Sequence, residues 1–261
     1  MQEEHYDCLK DEKLLKFYRD YAGFNDRDEL QRHFTSIQNK ILRGGQSYRC
    51  IEGLRFAYSR LSLRFYYNRI LEIGKTEKEP LLIDIGCCTG TDLRMLVWEG
   101  YPAEYLVGSD INAHFIDCGY DLFRDRNNCK ITFFVGDVFD PEPSAKYRHR
   151  AAVVNAGSVI HLLNSIESIR EFVRRIANLL RPGGIFVGSH MGADHTISVF
   201  REDYNVSKQY ASAQDLQKIL EDENFTNVEI TSQPRKPHKG LVVKGFQPMW
   251  MQFCAVYNPS Q

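Results

Sequence analysis

From residue 81 onward, short apolar runs alternate with amphipathic stretches. LLIDIG opens the series and a helix over roughly 91–99 follows; YLVGSD comes next, with a helix over roughly 112–124. ITFFVGD and AAVVNAG are two further runs, then a helix over roughly 165–180 leads to GIFVGSH. Strands alternating with helices predict βαβ units and a mostly parallel sheet. Arg181-Pro182-Gly183-Gly184 reads as a turn ahead of the fifth strand. A helix over roughly 212–222 precedes NVEITSQ and MWMQFCAVYN. About 15 residues with Pro234, Pro237 and Gly240 join these two runs, too few for a helical crossover, so they predict an antiparallel pair.

Residues 1–79 have a different texture, helical and without strand alternation. Leu54, Tyr58, Leu61 and Phe65 recur at helical spacing, with Arg60, Arg64 and Arg69 around the other side, and predict a helix there. Gly44 and Gly45 divide the segment; Gly74 and the charged stretch to Glu79 end it, and Pro80 marks the boundary.

Composition narrows the function classes. The 261 residues are 43% hydrophobic and 26% charged, which excludes disordered, collagen-like and coiled-coil chains. A net charge of −1 excludes the basic footprint of a nucleic-acid binder. No apolar run reaches membrane-span length, and MQEEHYDCLKDEK has no signal-peptide core. Seven cysteines, an odd count without a CxxC pair, argue against a disulfide framework and a zinc site; no metal is expected. Reduced thiols fit a cytoplasmic enzyme.

In an open parallel sheet, ligands bind beyond the carboxyl ends of the strands, near the point where strand order reverses. The chemistry-bearing residues of this chain gather where the predicted strands end. The first run ends in Asp84-Ile85-Gly86-Cys87-Cys88-Thr89-Gly90, where Gly86 and Gly90 permit a tight turn and close approach of a ligand. The second ends in Asp110, an acid able to accept both hydroxyls of a ribose. The third ends in Gly136-Asp137-Val138, with Asp137 suited to an adenine amino group, and the fourth in Asn155-Ala156-Gly157.

This ordered set resembles the class I S-adenosylmethionine (SAM)-dependent methyltransferases over roughly residues 81–257. The resemblance implies an α/β fold: a Rossmann-like seven-stranded mostly parallel sheet, helices on both faces and the last strand antiparallel. A helical cap over 1–79 would cover a SAM-binding domain over 80–261. One departure stands out, since Cys88 replaces the middle glycine of the family's loop. A closer resemblance, to the fungal secondary-metabolite (meroterpenoid-type) carboxyl O-methyltransferases, is carried by GCCTGTDLR, FIDCGYDLFRD, Val159-Ile160-His161-Leu162-Leu163 and Tyr48-Arg49-Cys50-Ile51 with Arg55-Phe56. It implies that Asp84, Gly86, Cys87, Thr89 and Gly90 line the methionine part of SAM. Asp110 would hold the ribose beside Ile111 and Asn112, Asp137 and Val138 would frame adenine, and Asn155 and Ala156 would face the sulfonium.

Several residues carry two readings. Asp92 is a helix N-terminal charge or a cofactor contact. His161 is a packed histidine or an acceptor-orienting general base. His190 and His195 follow the fifth strand, where substrate loops lie, or are ordinary histidines. The aromatic series at 56, 58, 65, 66 and 67 is packing or a substrate box. Asn155-Ala156-Gly157 with Tyr204-x-x-x-Lys208 also matches the short-chain dehydrogenases, but the glycine-rich turn that NADP chemistry needs is missing.

The expected activity is in-line transfer of the SAM methyl to an oxygen of a small-molecule acceptor, releasing S-adenosylhomocysteine. A carboxylate acceptor is already ionised and needs no base; Arg49 or Arg55, with Tyr48, would hold it. A phenol or alcohol would need His161 as base. The alternatives from other classes are the NADP-dependent reductase and an inactive SAM-binding protein. The expected assembly is a monomer or homodimer.

Overall fold

A computed structural model describes residues 8–45, 48–140, 145–201, 206–236 and 245–259, without the side chains of Cys8, Arg49 and Arg201. Its centre is a seven-stranded sheet of order β3-β2-β1-β4-β5-β9-β8. The strands are β1 (Leu82–Ile85), β2 (Leu106–Asp110), β3 (Thr132–Val135), β4 (Ala151–Gly157), β5 (Leu180–Ala193), β8 (Phe225–Pro234) and β9 (Pro248–Tyr257). The first five pair in parallel, β9 runs antiparallel to β5, and β8 runs antiparallel to β9. The order reverses between β1 and β4, which places the switch point beside Asp84 and Asn155.

Helices cover both faces. On one lie α4 (Tyr67–Thr76), α5 (Thr91–Trp98) and α6 (Ala113–Phe123); on the other lie α7 (Ile166–Leu179) and α8 (Ala213–Asp222). α7 starts at Ser165, whose hydroxyl and Ser168 form a reciprocal capping box, and its Ile169, Phe172, Val173 and Ile176 meet Phe186 and Phe253 of the sheet. α6 starts at Asn112, whose side chain accepts from the His114 amide at 3.0 Å.

Upstream, α1 (Glu12–Ala22) and α2 (Arg27–Arg43) are capped by Asp11 and Asp26 and bury one stripe each. Phe17, Tyr18, Leu30, Phe34 and Ile37 form a second core with Phe115, Leu122 and Phe123 of α6. α2 ends at Arg43, where the Gly44-Gly45 pair predicts a break. α4 continues through Gly74, because that glycine admits the Tyr101 ring against the helix.

The helix expected over 54–65 does not form. α3 (Arg49–Glu52) is a single turn, Leu54 takes the left-handed conformation (φ 55), and two 3-10 turns follow at Arg55–Ala57 and Leu61–Leu63. The cause is competition for backbone groups. The hydroxyls of Thr89 and Thr91 donate to the Phe56 carbonyl at 2.9 and 2.5 Å, and the Leu61 amide donates to Asp92 at 2.9 Å. Arg64, placed by periodicity on an exposed face, is 7% exposed, while Phe65 is 44% exposed.

The Arg181–Gly184 turn is absorbed into β5 as an irregularity. Ala151 pairs with Leu180 and Val153 with Ile185, so the four residues between loop out of register. One element was not anticipated, the hairpin of β6 (Ile197–Arg201) and β7 (Val206–Tyr210). It lies against the segment after β4: the Gln209 amide donates to the Leu163 carbonyl at 2.9 Å and Lys208 to the Leu162 carbonyl. Lys208 of the dehydrogenase-like pair is thus engaged with backbone; Tyr204 lies outside the described residues.

Candidate functional site

The loop after β1 turns at Gly86 (φ 74), Cys88 (φ 52) and Gly90 (φ 67). Cys88 keeps the left-handed conformation that a glycine would adopt freely, at a cost of about 1–2 kcal/mol. Its amide donates to Asp110 Oδ2 at 2.8 Å, and the amides of Gly86 and Cys87 donate to the Ser109 carbonyl. The loop is thereby tied to the end of β2. α6 presses on it closely: a Cβ at Gly119 would sit 2.3 Å from the Thr89 carbonyl oxygen.

Beneath the loop lies an arginine that sequence reasoning passed over. Arg94 is 1% exposed and grips Asp125 in two-pronged fashion, Nε to Oδ2 at 2.7 Å and Nη2 to Oδ1 at 2.9 Å. Its Nη1 donates to the carbonyl of Thr89 at 2.8 Å, and the Tyr21 hydroxyl of α1 donates to Asp125 at 3.1 Å. One guanidinium therefore links the loop, the turn after α6 and the N-terminal helix. The signal was available: an arginine flanked by Leu93, Met95, Leu96 and Val97 is buried, and a buried charge requires a partner.

The predicted acids fall into distinct environments. Asp84 is 3% exposed; it accepts from Asn155 Nδ2 at 2.7 Å, and burial with the nearby Asp92 charge pushes its carboxyl well above the usual range. Asn155 Oδ1, beside it, is buried without a hydrogen-bond partner. Burial also raises Asp110, against the opposing pull of the Asn112 and Cys88 amides. Asp137 stands past β3, partly exposed, its Oδ1 accepting from the Phe139 amide at 3.0 Å, with Val138 buried behind. Ala156 is fully buried and Ile111 is 62% exposed at the mouth. Asp92 accepts from the Ser59 hydroxyl at 2.7 Å and from the Leu61 amide, and so anchors the 59–61 segment over the loop.

The structure thus brings Asp84, Gly86, Cys87, Thr89, Gly90, Asp110, Asn112 and Asn155 to one end of the sheet. The candidate acceptor residues are scattered. Tyr48 packs on Phe115, with ring centroids 5.9 Å apart. Arg55 opens a 3-10 turn, His161 sits in the turn Ile160–Leu162 after β4, and the Arg49 side chain is outside the described set. His195 is exposed beyond β5, with Nδ1 3.0 Å from Asp194.

His190 requires correction. Strand alternation turns it to the α7/α8 face, 0% exposed, with its ring 5.9 Å from that of Phe253, away from the Asp84 face. Neither ring nitrogen has a hydrogen-bond partner, and burial lowers its pKa to about 4. It is a packing residue rather than a substrate contact.

A separate cleft of about 500 Å³ lies near the start of β2 and β3, lined by Tyr21, Glu104, Arg124 and Lys130, and holds none of the predicted site residues. Among the described residues no group of three His, Cys, Asp or Glu is placed to hold a metal, and no helix is long and apolar enough to cross a membrane.

A sheet with β9 reversed between β5 and β8, and a glycine loop at the β1/β4 switch point, defines the Rossmann-like class seen in methyltransferases. The chain belongs to the methyltransferase domain family, whose match spans residues 57–230, two thirds of its length. That membership removes the dehydrogenase reading. Among curated relatives, O-methyltransferase phiE of a fungal species is 39% identical over 143 residues, 52% of this chain and 47% of that one. O-methyltransferase atr3 of Stereocaulon alpinum is 30% identical over 64% of this chain and 48% of its own. The asnovolin E/chermesin D methyltransferase nvfJ of Aspergillus novofumigatus is 30% identical over 64% and 60%. The chain spans about half the length of the first two. Among solved structures, a SAM-dependent methyltransferase from Archaeoglobus fulgidus aligns with a TM-score of 0.55 at 17% identity, covering 80% of this chain and 100% of that one. The [4+2]-cyclase SpnF aligns at 0.54 and 13% identity, covering 74% and 80%. At these identities the likeness is one of fold.

Proposed function

We propose that the protein is a SAM-dependent O-methyltransferase of fungal secondary metabolism whose acceptor is a carboxylate on a small molecule. The single observation behind this reading is the convergence of Asp84, the glycine loop and Asp110 at the switch point. Their chemistry fits SAM. Asp84 with the unpaired Asn155 Oδ1 offers two buried acceptors to an ammonium group. Each oxygen of Asp110 accepts one backbone amide and keeps a lone pair for a ribose hydroxyl. Asp137 and Val138, just past the end of β3, would frame the adenine.

SAM, when bound, supplies the methyl group and its own leaving group. The chain's work is to hold both reactants in line and to exclude water, a contribution of roughly 7–11 kcal/mol in well-oriented systems. The 1–79 segment acts as a lid, with residues 59–61 pinned over the loop by Asp92. A carboxylate, with a pKa of about 4, reaches the site already ionised, so no residue has to remove a proton. Among the curated relatives, phiE and atr3, named O-methyltransferases, support an oxygen acceptor, and nvfJ, named for two fungal metabolites, a small-molecule one.

S-adenosylhomocysteine stabilises the protein in this reading, by about 2.7 kcal/mol at a hundred times its Kd. Asp110→Ala weakens its binding about tenfold or more by calorimetry, because a buried hydrogen-bonded contact is lost. Unchanged affinity removes the ribose assignment. The methyl-transfer rate stays flat between pH 8 and 6 and survives His161→Ala. A steep fall below pH 6.5 together with loss in His161→Ala replaces the carboxylate by a hydroxyl acceptor with His161 as base.

A further inference from the structure

We propose that Tyr66, Gln252 and Trp250 form the acceptor subsite, and that it recognises an apolar molecule carrying a hydroxyl group beside the oxygen to be methylated. This rests on the methyltransferase reading above; Tyr66 belongs to the aromatic series for which the sequence left packing and a substrate box open, and Gln252 and Trp250 lie in the last predicted strand.

Sheet register assembles the subsite. Asp84 is paired with Asn155 across β1 and β4, Asn155 with Val187 across β4 and β5, Ser189 with Gln252 and Met191 with Trp250 across β5 and β9. Register partners share a face, and alternate residues along a strand do too, so Asp84, Asn155, Ser189, Gln252 and Trp250 line one surface. Tyr66 covers it from the turn leading into α4, 2% exposed, its hydroxyl facing Ser189. Arg60 and Arg64 reach down from the same segment to 5.5 and 5.2 Å from the Trp250 ring centre and fix the indole in place.

The polar atoms on this surface are buried and unsatisfied. Gln252 Oε1 and Trp250 Nε1 find no hydrogen-bond partner, and Tyr66 Oη has only the nearby Ser189 hydroxyl, without good hydrogen-bond geometry. Native interiors leave very few such groups, and three on one wall beside Asp84 and Asn155 point to a ligand. Their chemistry specifies it. The indole N–H only donates, Gln252 Oε1 only accepts, and the phenol does both. A hydroxyl is the small group that accepts from the first and donates to the second. Val187, Met191 and Cys254 supply an apolar surround.

Two acids that differ only in a hydroxyl on the carbon next to the carboxyl-bearing one test the proposal: cis-2-hydroxycyclohexanecarboxylic acid and cyclohexanecarboxylic acid. Binding to the full chain is measured with S-adenosylhomocysteine present, by calorimetry and by Trp250 emission in a Trp98→Phe background. The hydroxy acid binds roughly tenfold more tightly than cyclohexanecarboxylic acid, and Tyr66→Phe or Gln252→Leu removes that difference while leaving S-adenosylhomocysteine affinity unchanged. Equal binding of the two acids, binding of neither at millimolar concentration, or variants that still discriminate overturns the proposal. If the wild type does not bind S-adenosylhomocysteine, the methyltransferase reading itself falls. Because S-adenosylhomocysteine affinity also reports folding, a misfolded variant is recognised, and Trp250→Phe then supplies the same comparison.

Discussion

Around the loop after β1 the buried polar groups, Asn155 Oδ1 excepted, are paired within the chain, whereas above β5 and β9 several are not. Arg94 meets Asp125 and the Thr89 carbonyl, Asp110 meets two backbone amides, and Thr89 and Thr91 meet Phe56. Tyr66, Gln252 and Trp250 each hold a buried polar atom that makes no well-formed hydrogen bond. The cofactor half is preorganised by contacts that exist before anything binds. The acceptor half carries an unpaired-polar cost of about 1–3 kcal/mol per group, which a matching ligand removes. One half is built for a fixed ligand and the other for selection among ligands.

The largest effect comes from breaking the paired half. Arg94→Leu strands the Asp125 carboxylate in a buried site and costs about 3–5 kcal/mol in urea unfolding. A loss under 1 kcal/mol means that the ion pair does not organise the loop. Next is acid. His190 has a folded-state pKa of about 4, below the 6.5 of an unfolded histidine, so acid protonates the unfolded chain first. The stability is complete above pH 6.5 and is lost as pH falls toward 4, amounting to about 2 kcal/mol by pH 5. His190→Leu removes this part of the pH dependence, measured as the difference in unfolding free energy between pH 7 and pH 5. The smallest effect sharpens the comparison most. Tyr18→Phe, which deletes a buried hydroxyl bonded to the Ala57 carbonyl at 2.7 Å, costs about 1 kcal/mol. Tyr66→Phe, which deletes one without a well-formed hydrogen bond, leaves the free protein within about 0.5 kcal/mol of wild type or stabilises it. Equal losses for the two tyrosines erase the distinction between the halves.

The paired half was largely legible in the sequence because it is written locally. Strand periodicity ended each run at Asp84, Asp110 and Asp137, and the glycines punctuated the loop between them. The unpaired half depends on register between β5 and β9, whose partners Ser189 and Gln252 are distant in sequence, and on Tyr66 arriving from a third element. No spacing rule connects these positions. The 54–65 segment misled for a related reason. Its apolar spacing fits a helix, but Thr89, Thr91 and Asp92 take the Phe56 carbonyl and the Leu61 amide that a helix would use. The β6–β7 hairpin was missed because its strands are only five residues each and β7, VSKQY, carries apolar residues at its two ends alone, too short a run to show alternation.

The stacking of Arg60 and Arg64 on Trp250 also has a consequence in time. A chain is synthesised from its N-terminus, and Arg60 precedes Trp250 by about 190 residues, or about 10–40 s of translation at ordinary speeds. The roof over the acceptor is made early but can close only when β9 emerges. Nascent chains halted before residue 250 therefore carry the sequence of the loop after β1 but not Trp250 or Gln252, so the acceptor wall is the last part of the site to be synthesised.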